Sequence, residues 1–178
     1  GAIISDPGAI YVAKKYAPDL QIHLSTQANT TNKYSVKFWG EQGVSRVVLA
    51  RELSLNEITE IHDFAPETEL EAFVHGAMCI SYSGRCLLSD YLDGRSSNRG
   101  ACVQSCRWRY EVRAMNATNG NSEWLPIEEN ERGTYILNSK DLNMLVHLQE
   151  MEKAGVSSFK IEGRMKRGYY LATVINAY

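Results

Sequence analysis

Short apolar runs alternate along this chain with longer segments in which apolar residues recur at helical spacing. The apolar runs predict strands at Ala2–Ile4, Gln21–Leu24, Arg46–Leu49, Glu69–Val74 and Ser158–Ile161. The longer segments predict helices at Ala9–Tyr16, Lys33–Gln42, Leu55–Phe64, Lys140–Ala154 and Gly168–Tyr178. Ser54 and Ser139 stand where helices begin, and Gly43 and Gly155 stand where helices end. Regular alternation of this kind indicates parallel βα units.

A polar cluster follows each predicted strand, and its position favours one α/β architecture over another. The clusters are Ser5-Asp6-Pro7-Gly8, Ser25-Thr26-Gln27, Arg51-Glu52, His75-Gly76 and Glu162-Gly163-Arg164. Polar residues at the carboxyl ends of successive strands are typical of a (β/α)8 barrel. An open doubly wound sheet concentrates them at one switch point, and the chain has no GxGxxG loop. We therefore predict a partial (β/α)8 TIM-like barrel, about its last five βα units, with a cysteine-rich insertion.

The distribution of polar and glycine-rich sequence predicts three regions. Residues 1–75 form βα units of the barrel, residues 76–134 form the insertion, and residues 135–178 form the final helix, strand and helix. The chain enters directly on an apolar strand without an initiator Met, so we expect a piece of a barrel that lacks about three N-terminal units. An incomplete barrel exposes strand edges, and we expect self-association through them.

All four cysteines fall in the insertion, with the spacing Cys79-x6-Cys86-x15-Cys102-x3-Cys106. Four thiolates on a loop with several glycines can bind a 4Fe–4S cluster, which tolerates irregular spacing. A structural zinc site is the alternative, although only Cys102-x3-Cys106 has the short spacing typical of zinc. Disulfides or unligated thiols are a third possibility. The residues alone leave these readings open.

Composition indicates the class of protein and its cellular compartment, but it does not identify the function. Hydrophobic residues make up 44% and charged residues 22% of the chain, as in ordinary globular proteins. No apolar run is long enough to span a membrane, and no secretory signal pattern is present, so we expect a cytoplasmic protein that does not contact membranes. A reducing compartment weakens the disulfide reading. The net charge of −2 means that any nucleic-acid binding must come from a local patch.

One such patch lies within the insertion. Basic and aromatic residues interleave there, and the candidate RNA contacts are Arg95, Arg99, Arg107, Trp108 and Arg109. Arginine pairs with phosphate and aromatic rings stack on unpaired bases, which is how single-stranded RNA is held. A solvated surface with its own ion pairs is the alternative reading.

The strand ends supply candidates for small-molecule chemistry. Arg51, Lys160 and Arg164 could hold a dicarboxylate, because guanidinium groups bind carboxylates in a bidentate manner. His23, Gln27 and His75 are further candidate substrate-binding residues at the same edge. The candidate acid/base residues are Asp6, Glu52 and Glu162. Alternatively, Glu162 pairs with Arg51 or Arg164 only to close the barrel mouth, and His23 is a core histidine.

A long motif connects several of these residues. The segment Glu71–Ser89 reads Glu-x-Phe-x2-Gly-Ala-Met-Cys-x4-Gly-x-Cys-x-Leu-Ser, and it resembles the signature of peptidase family U32, the collagenase-like proteases. Further blocks resemble the family at Asp6-Pro7-Gly8, at Arg51-Glu52-Leu53-Ser54 and at Lys160–Lys166. Within the family, the chain is most similar to the tRNA hydroxylation proteins.

This resemblance implies two functions. The first is prephenate-dependent hydroxylation of the tRNA wobble uridine to 5-hydroxyuridine, with a 4Fe–4S cluster on the four cysteines. The second is proteolysis, although the chain has no His-Glu-x-x-His and no Gly-x-Ser-x-Gly motif. A non-catalytic RNA-binding or accessory subunit is a third hypothesis. Under the first, tRNA and prephenate or a similar carboxylate are the expected partners.

Overall fold

The computed structural model describes residues 1–79, 81–82, 85–108, 111–115, 122–126 and 141–178. These residues form two compact units. The first unit combines Gly1–Cys86 with Asp141–Tyr178, and the second comprises Leu87–Lys140. The predicted boundaries of the insertion, 76 and 134, stay a prediction. Among the described residues, no helix is both long enough and apolar enough to cross a membrane.

The predicted strands and helices are found in the order that the apolar pattern predicts, and further short elements occur between the fourth and fifth predicted strands. The strands are β1 (Ala2–Ile4), β2 (Ile22–Leu24), β3 (Arg46–Val48), β4 (Glu69–Gly76), β5 (Glu111–Met115), β6 (Ser122–Pro126), β7 (Leu142–Asn143) and β8 (Val156–Glu162). The helices are α1 (Pro7–Tyr16), α2 (Lys33–Glu41), α3 (Leu55–Phe64), α4 (Leu88–Asp93), α5 (Leu148–Lys153) and α6 (Gly168–Ala177). Short 3₁₀ turns occur at Thr26–Ala28, Ser97–Arg99, Ser105–Arg107 and Leu145–His147.

The first unit is built on a sheet whose parallel strands lie in the order β1-β2-β3-β4-β8. Strand β7 pairs with the end of β4 in the antiparallel direction. The predicted parallel α/β class is therefore confirmed. Neighbouring parallel strands follow chain order without a reversal, which is consistent with part of an α/β barrel and differs from a doubly wound sheet.

The hydrophobic core lies on one face of this sheet. Every second residue of β4 is part of it, namely Leu70, Ala72 and Val74, together with apolar side chains of the helices such as Ile58 and Ile61 of α3. Because side chains alternate across a strand, Glu71 and Phe73 are directed to the opposite face. The sheet thus separates an apolar helix-covered side from a side that carries polar chemistry.

Local signals set the ends of the helices. Ser54 caps α3 in a capping box, in which its side chain accepts from the Glu57 amide and the Glu57 carboxylate accepts from the Ser54 amide. Gly43 and Gly155 have φ of +76° and +96°, the left-handed conformation that glycine adopts without strain. The prediction for Ser54 is confirmed, whereas Ser139 lies outside the described residues.

One predicted helix is wrong in its first half. The apolar period predicts Lys140–Ala154, but Lys140 lies outside the described residues and the helix itself occupies Leu148–Lys153. Before it, Leu142 pairs with Gly76 of β4, and the Met144 amide donates to the Val74 carbonyl at 2.9 Å. These amides bond to a distant strand, so they are unavailable to a helix, and tertiary pairing overrides the local period.

The second unit contains α4, two of the 3₁₀ turns and the antiparallel pair β5–β6. Helix α4 and the turn at Ser105–Arg107 pack together, and the serine in the first turn of α4 is fully buried. This packing places two of the four cysteines, Cys102 and Cys106, on the segment beside α4.

Candidate active site

An arginine stacked on an aromatic ring marks the carboxyl edge of the sheet. The Arg51 guanidinium carbon lies 3.6 Å from the centroid of the Phe73 ring, and the Lys160 ammonium lies 5.9 Å from the same ring. Arg51 follows β3, Phe73 lies in β4 and Lys160 lies in β8. A guanidinium held flat on a ring gains cation–π attraction and keeps its donor edge in a fixed plane. Residues on or directly after three neighbouring strands therefore hold the Arg51 guanidinium in a defined orientation.

The charges around Arg51 come from segments that are far apart in sequence. Burial lowers the pKa of the Arg51 guanidinium, and the nearby Glu162, Cys79 and Glu52 side chains oppose that shift by attraction. Two predicted site residues, Glu52 and Glu162, and the first cysteine thus lie within electrostatic reach of Arg51. This group will be called the Arg51 cluster: Arg51, Glu52, Phe73, Cys79 and Glu162.

A second ionic group lies on the same face, centred on Glu71. Its carboxylate accepts hydrogen bonds from Lys160 Nζ at 2.6 Å and from Ser158 Oγ at 3.0 Å, and Arg46 Nη1 lies 3.4 Å away. Burial disfavours the charged form of Glu71, but the Lys160 bond and charge, with Ser158 and Arg46, outweigh it and hold the pKa below its usual value. Lys160 therefore links this group to the Arg51 cluster through Phe73.

A glycine permits the close contact between β4 and the end of β8. Gly76 has φ of +108°, and a Cβ added there would lie 2.2 Å from the Glu162 carbonyl oxygen. The Glu162 carboxylate meanwhile accepts the Arg164 amide at 3.0 Å, which closes the turn after β8. The glycine of the family motif thus brings the Glu162 backbone against β4. Arg164 contributes this amide, and its predicted role as a substrate cation stays a prediction.

His75 has different neighbours from the Arg51 cluster. The pairing of β4 with β8 shifts register between Phe73 and His75, and bulges of this kind redirect side chains. The His75 ring packs 5.8 Å from the Tyr170 ring and 5.6 Å from the Tyr178 ring, both centroid to centroid. The Tyr178 hydroxyl donates to the Val74 carbonyl at 2.7 Å and lies 3.3 Å from His75 Nδ1. The Tyr178 hydroxyl therefore ties the His75 ring to the backbone of β4.

The remaining strand-end candidates belong to the first two βα units. Asp6 Oδ1 accepts the Ala9 amide at 2.7 Å and so caps α1. His23 is partly buried in β2, where it pairs in register with Ile3 and Arg46. Gln27 lies in the 3₁₀ turn after β2. The structure gives Asp6 a capping role, and the predicted catalytic and substrate-binding roles of these residues remain predictions.

The four cysteines are divided between the units. Cys79 and Cys86 belong to the first, with Cys86 buried, and Cys102 and Cys106 belong to the second. The structure holds all four as thiols. Within neither unit do the described residues group three or more His, Cys, Asp or Glu side chains as a metal site would. A common centre for all four thiols stays a prediction.

The thiols of the second unit nevertheless have the chemistry that a metal centre uses. Cys102 Sγ accepts a hydrogen bond from the Gln104 amide at 3.2 Å. Gln104 itself has φ of +57°, which turns the backbone so that Cys106 follows on a 3₁₀ turn. Amide donors to cysteine sulfur are among the contacts that set the potential of iron–sulfur clusters, so this donor set fits such a group.

Two of the candidate RNA contacts share a cleft in the second unit. Arg95 and Arg99 line it with Asp90, and its volume is about 480 Å³. Arg107 lies in the 3₁₀ turn that carries Cys106, and Trp108, directly after it, is 45% exposed. Arg109 lies outside the described residues. An exposed indole next to arginines can stack on a base, and the RNA-binding role of these residues stays a prediction.

Sequence reasoning missed the Glu71 group and the Phe73 stack. Both residues belong to the motif that begins at Glu71, and they alternate with the core residues Leu70, Ala72 and Val74. A charged residue in an otherwise apolar central strand was the available signal, because such a charge is buried only with partners. Nothing in the local pattern identified Arg46, Ser158 and Lys160 as those partners.

Comparison with known proteins supports the family resemblance of the Glu71–Ser89 motif. The chain matches peptidase family U32 over residues 1–178 and belongs to that family. The tRNA hydroxylation protein P of Helicobacter pylori strain J99 is 47% identical over 99% of this chain and 42% of its own length. The protein of the same name in Escherichia coli K12 is 42% identical over 99% of this chain and 47% of its length.

A more distant relative modifies a different RNA. The 23S rRNA 5-hydroxycytidine synthase of Escherichia coli K12 is 37% identical over 90% of this chain and 23% of its length. The chain therefore spans less than half the length of these relatives. No solved structure is significantly similar to the chain.

Proposed function

We propose that this chain contributes part of the active site of an RNA-modifying hydroxylase that converts the tRNA wobble uridine to 5-hydroxyuridine. The observation that carries the proposal is the Arg51 cluster, in which three segments of the family motifs meet at the carboxyl edge of parallel strands. Relatives named for tRNA hydroxylation, at 42% and 47% identity, support the same reaction. We further propose that the parallel sheet is part of a (β/α)8 barrel, whose active sites lie at this edge.

Within this proposal, Arg51 binds a carboxylate of a small co-substrate such as prephenate. The ring of Phe73 fixes the guanidinium plane, and burial excludes water that would otherwise compete for its donors. Glu162 and Glu52 balance the cation when the co-substrate is absent. Lys160 is held by Glu71 at the same ring and supplies a second positive charge. A co-substrate carboxylate would thus contact two positively charged side chains, Arg51 and Lys160.

The four cysteines are the ligands that we propose for a 4Fe–4S cluster. When bound, such a cluster supplies one-electron redox chemistry. Cys79 lies within electrostatic reach of Arg51, so the cation lowers the cost of negative charge on that thiolate. In the second unit, the Gln104 amide does the same for Cys102. Zinc on the same thiols is the alternative that metal analysis must exclude.

The second unit is the proposed RNA contact. Arg95 and Arg99 offer guanidinium groups to a backbone phosphate in their shared cleft, and Trp108 offers a stacking surface. Arg107 is the last residue of the turn that carries Cys106 and directly precedes that indole. Phosphate contacts of this kind weaken steeply with added salt, which gives a simple signature for RNA binding.

The test is made in the full-length protein that contains this chain, in cells that lack their own wobble hydroxylation. Wild type is expected to restore 5-hydroxyuridine in tRNA nucleoside digests. Arg51→Lys is expected to lose most of this product, because an ammonium reproduces neither the ring stacking nor the bidentate fork. Arg167→Lys is the matched control, since Arg167 is an exposed residue that precedes α6.

The same wild-type and variant proteins also distinguish the hydroxylase from a peptidase and from a non-catalytic accessory subunit. Iron and acid-labile sulfide, measured after anaerobic purification, are expected at about four each per chain. A wild-type protein that restores no 5-hydroxyuridine and binds no iron, but cleaves peptides, would establish the peptidase reading of the family name. RNA binding without product in every variant would instead indicate a non-catalytic accessory subunit.

A further inference from the structure

The serine that ends the family motif is fully buried beside the second pair of cysteines. Ser89 is 0% exposed in the first turn of α4, and its hydroxyl oxygen accepts the Val103 amide at 3.1 Å. Val103 directly follows Cys102. A part-buried backbone amide costs free energy unless it is bonded, and the serine oxygen satisfies this donor.

The next amide of the loop is directed at sulfur. The Gln104 N–H donates to Cys102 Sγ at 3.2 Å, and Gln104 takes the left-handed conformation with φ of +57°. The Gln104 carbonyl then accepts the Arg107 amide at 2.9 Å, which closes the 3₁₀ turn that carries Cys106. Two consecutive amides thus have fixed acceptors, one on Ser89 and one on Cys102.

We propose that Ser89 is a positioning residue for the Cys102-x3-Cys106 pair. By holding the Val103 amide, the Ser89 oxygen fixes the peptide plane between Cys102 and Val103 and so helps to keep the next amide, that of Gln104, directed at the Cys102 sulfur. Without the oxygen, the part-buried Val103 amide loses this acceptor, and the loop is free to leave this conformation. The positioning of the loop is independent of any metal, whereas its use for a cluster rests on the proposed function.

The first test follows the loop itself, in the full-length protein without metal. Ser89→Ala is expected to speed hydrogen exchange of the Val103 amide by about tenfold, the equivalent of one hydrogen bond. Alkylation of Cys102 is expected to accelerate in the same variant. Ser89→Thr keeps the oxygen and is expected to retain protection. Ser96→Ala, at a serine without a capping bond in the same unit, is the matched control.

Unchanged exchange at Val103 and Gln104 in a folded Ser89→Ala protein would overturn the proposal. If both Ser89 variants fail to fold, hydrogen exchange of the Val103 amide in the wild-type protein tests the Ser89 bond instead. A Val103 amide that exchanges as fast as in an unstructured peptide then refutes the hydrogen bond, and a strongly protected one upholds it. Gln104→Gly adds an independent check, because glycine adopts the same φ and keeps the amide, so Cys102 reactivity is expected to stay at its wild-type value.

The second test concerns the cluster and separates the two proposals. In Ser89→Ala, the visible absorbance of the anaerobically purified protein is expected to decay several-fold faster in air than in wild type, with Ser96→Ala unchanged. Equal decay in all three proteins would refute a role of Ser89 in holding the cluster. A wild type that binds no iron would refute the cofactor of the proposed function, while the exchange data would still decide the role of Ser89.

Discussion

Replacing Glu71 with glutamine tests whether the charge of this buried carboxylate stabilises the fold. The side chain is 7% exposed and holds Lys160 at 2.6 Å, Ser158 at 3.0 Å and Arg46 at 3.4 Å. Glutamine preserves the shape and can still accept from Ser158, but it removes the negative charge. Lys160 is then left beside Phe73 without its counter-charge.

The structure sets the expected magnitude. A hydrogen bond to a charged group contributes about 1.5–3 kcal/mol, and the lower part of this range applies because the Lys160 side chain is 29% exposed and can regain water. Arg46 keeps its bond to Glu69 at 2.7 Å, so its contribution changes little. We expect Glu71→Gln to lower the unfolding free energy by about 2 kcal/mol, or the midpoint temperature by about 4–8 °C.

Glu69→Gln is the matched control on the same strand. Its side chain is 54% exposed, and exposed ion pairs contribute about 0–1 kcal/mol. Urea denaturation of both variants at neutral pH gives the comparison. Equal losses in the two variants, or a loss under about 0.5 kcal/mol for Glu71→Gln, would refute the reasoning that burial and the Lys160 bond make the Glu71 charge important.

The lowered pKa of Glu71 also predicts how the difference in unfolding free energy between wild type and Glu71→Gln depends on pH. The pKa of Glu71 is lower in the folded protein than in the unfolded chain, so its stabilisation is fully present above the unfolded value. It is lost as the pH falls through the folded value. The difference between wild type and Glu71→Gln is therefore expected to be largest near neutrality and to shrink below the ordinary glutamate pKa. A constant difference across the acid range would contradict the assignment.

Three further substitutions test other contacts. Ser54→Ala is expected to cost about 1 kcal/mol in urea denaturation, because α3 loses its capping box, and an unchanged midpoint would contradict this. Tyr178→Phe is expected to lower the unfolding free energy by about 1–2 kcal/mol, because the hydrogen bond to the Val74 carbonyl is lost. The control Tyr169→Phe, at an 85% exposed residue, should lower it by under about 0.5 kcal/mol. Equal losses in the two variants would refute the importance of the Val74 bond. Gly76→Ala is expected to cost about 3 kcal/mol or more, and a stable variant would show that β4 and β8 can separate.

Much of the fold was predictable because its signals are local. The helical period located α3 with its observed bounds, and the strand at Ala2–Ile4 likewise matches β1. Ser54 and the glycines at 43 and 155 define helix ends through their own backbone and side-chain chemistry. The parallel α/β class follows from the alternation of these elements, and it is confirmed by the order of the sheet.

The candidate site was only partly predictable. The polar clusters after the strands predicted that Arg51, Glu52 and Glu162 share one edge, because the carboxyl ends of parallel strands meet there, and in the structure both carboxylates lie within electrostatic reach of Arg51. The same argument treated His75 as equivalent to them, yet its ring packs against Tyr170 and Tyr178 of the C-terminal segment. A register shift in β4 has no local signature in the sequence.

The sequence by itself determined most elements of the first unit, the cap of α3, the family motif and the identity of the chemical groups, since these depend on residues within a few positions of one another. Only the tertiary structure decided which groups meet: Arg51 on Phe73, Glu71 with Lys160, and the segment after Asp141 bound to the end of β4 rather than coiled into a helix. These contacts depend on strand register and on competition for backbone amides between distant segments. That competition is settled by the free energy of the whole fold, and no local pattern encodes it.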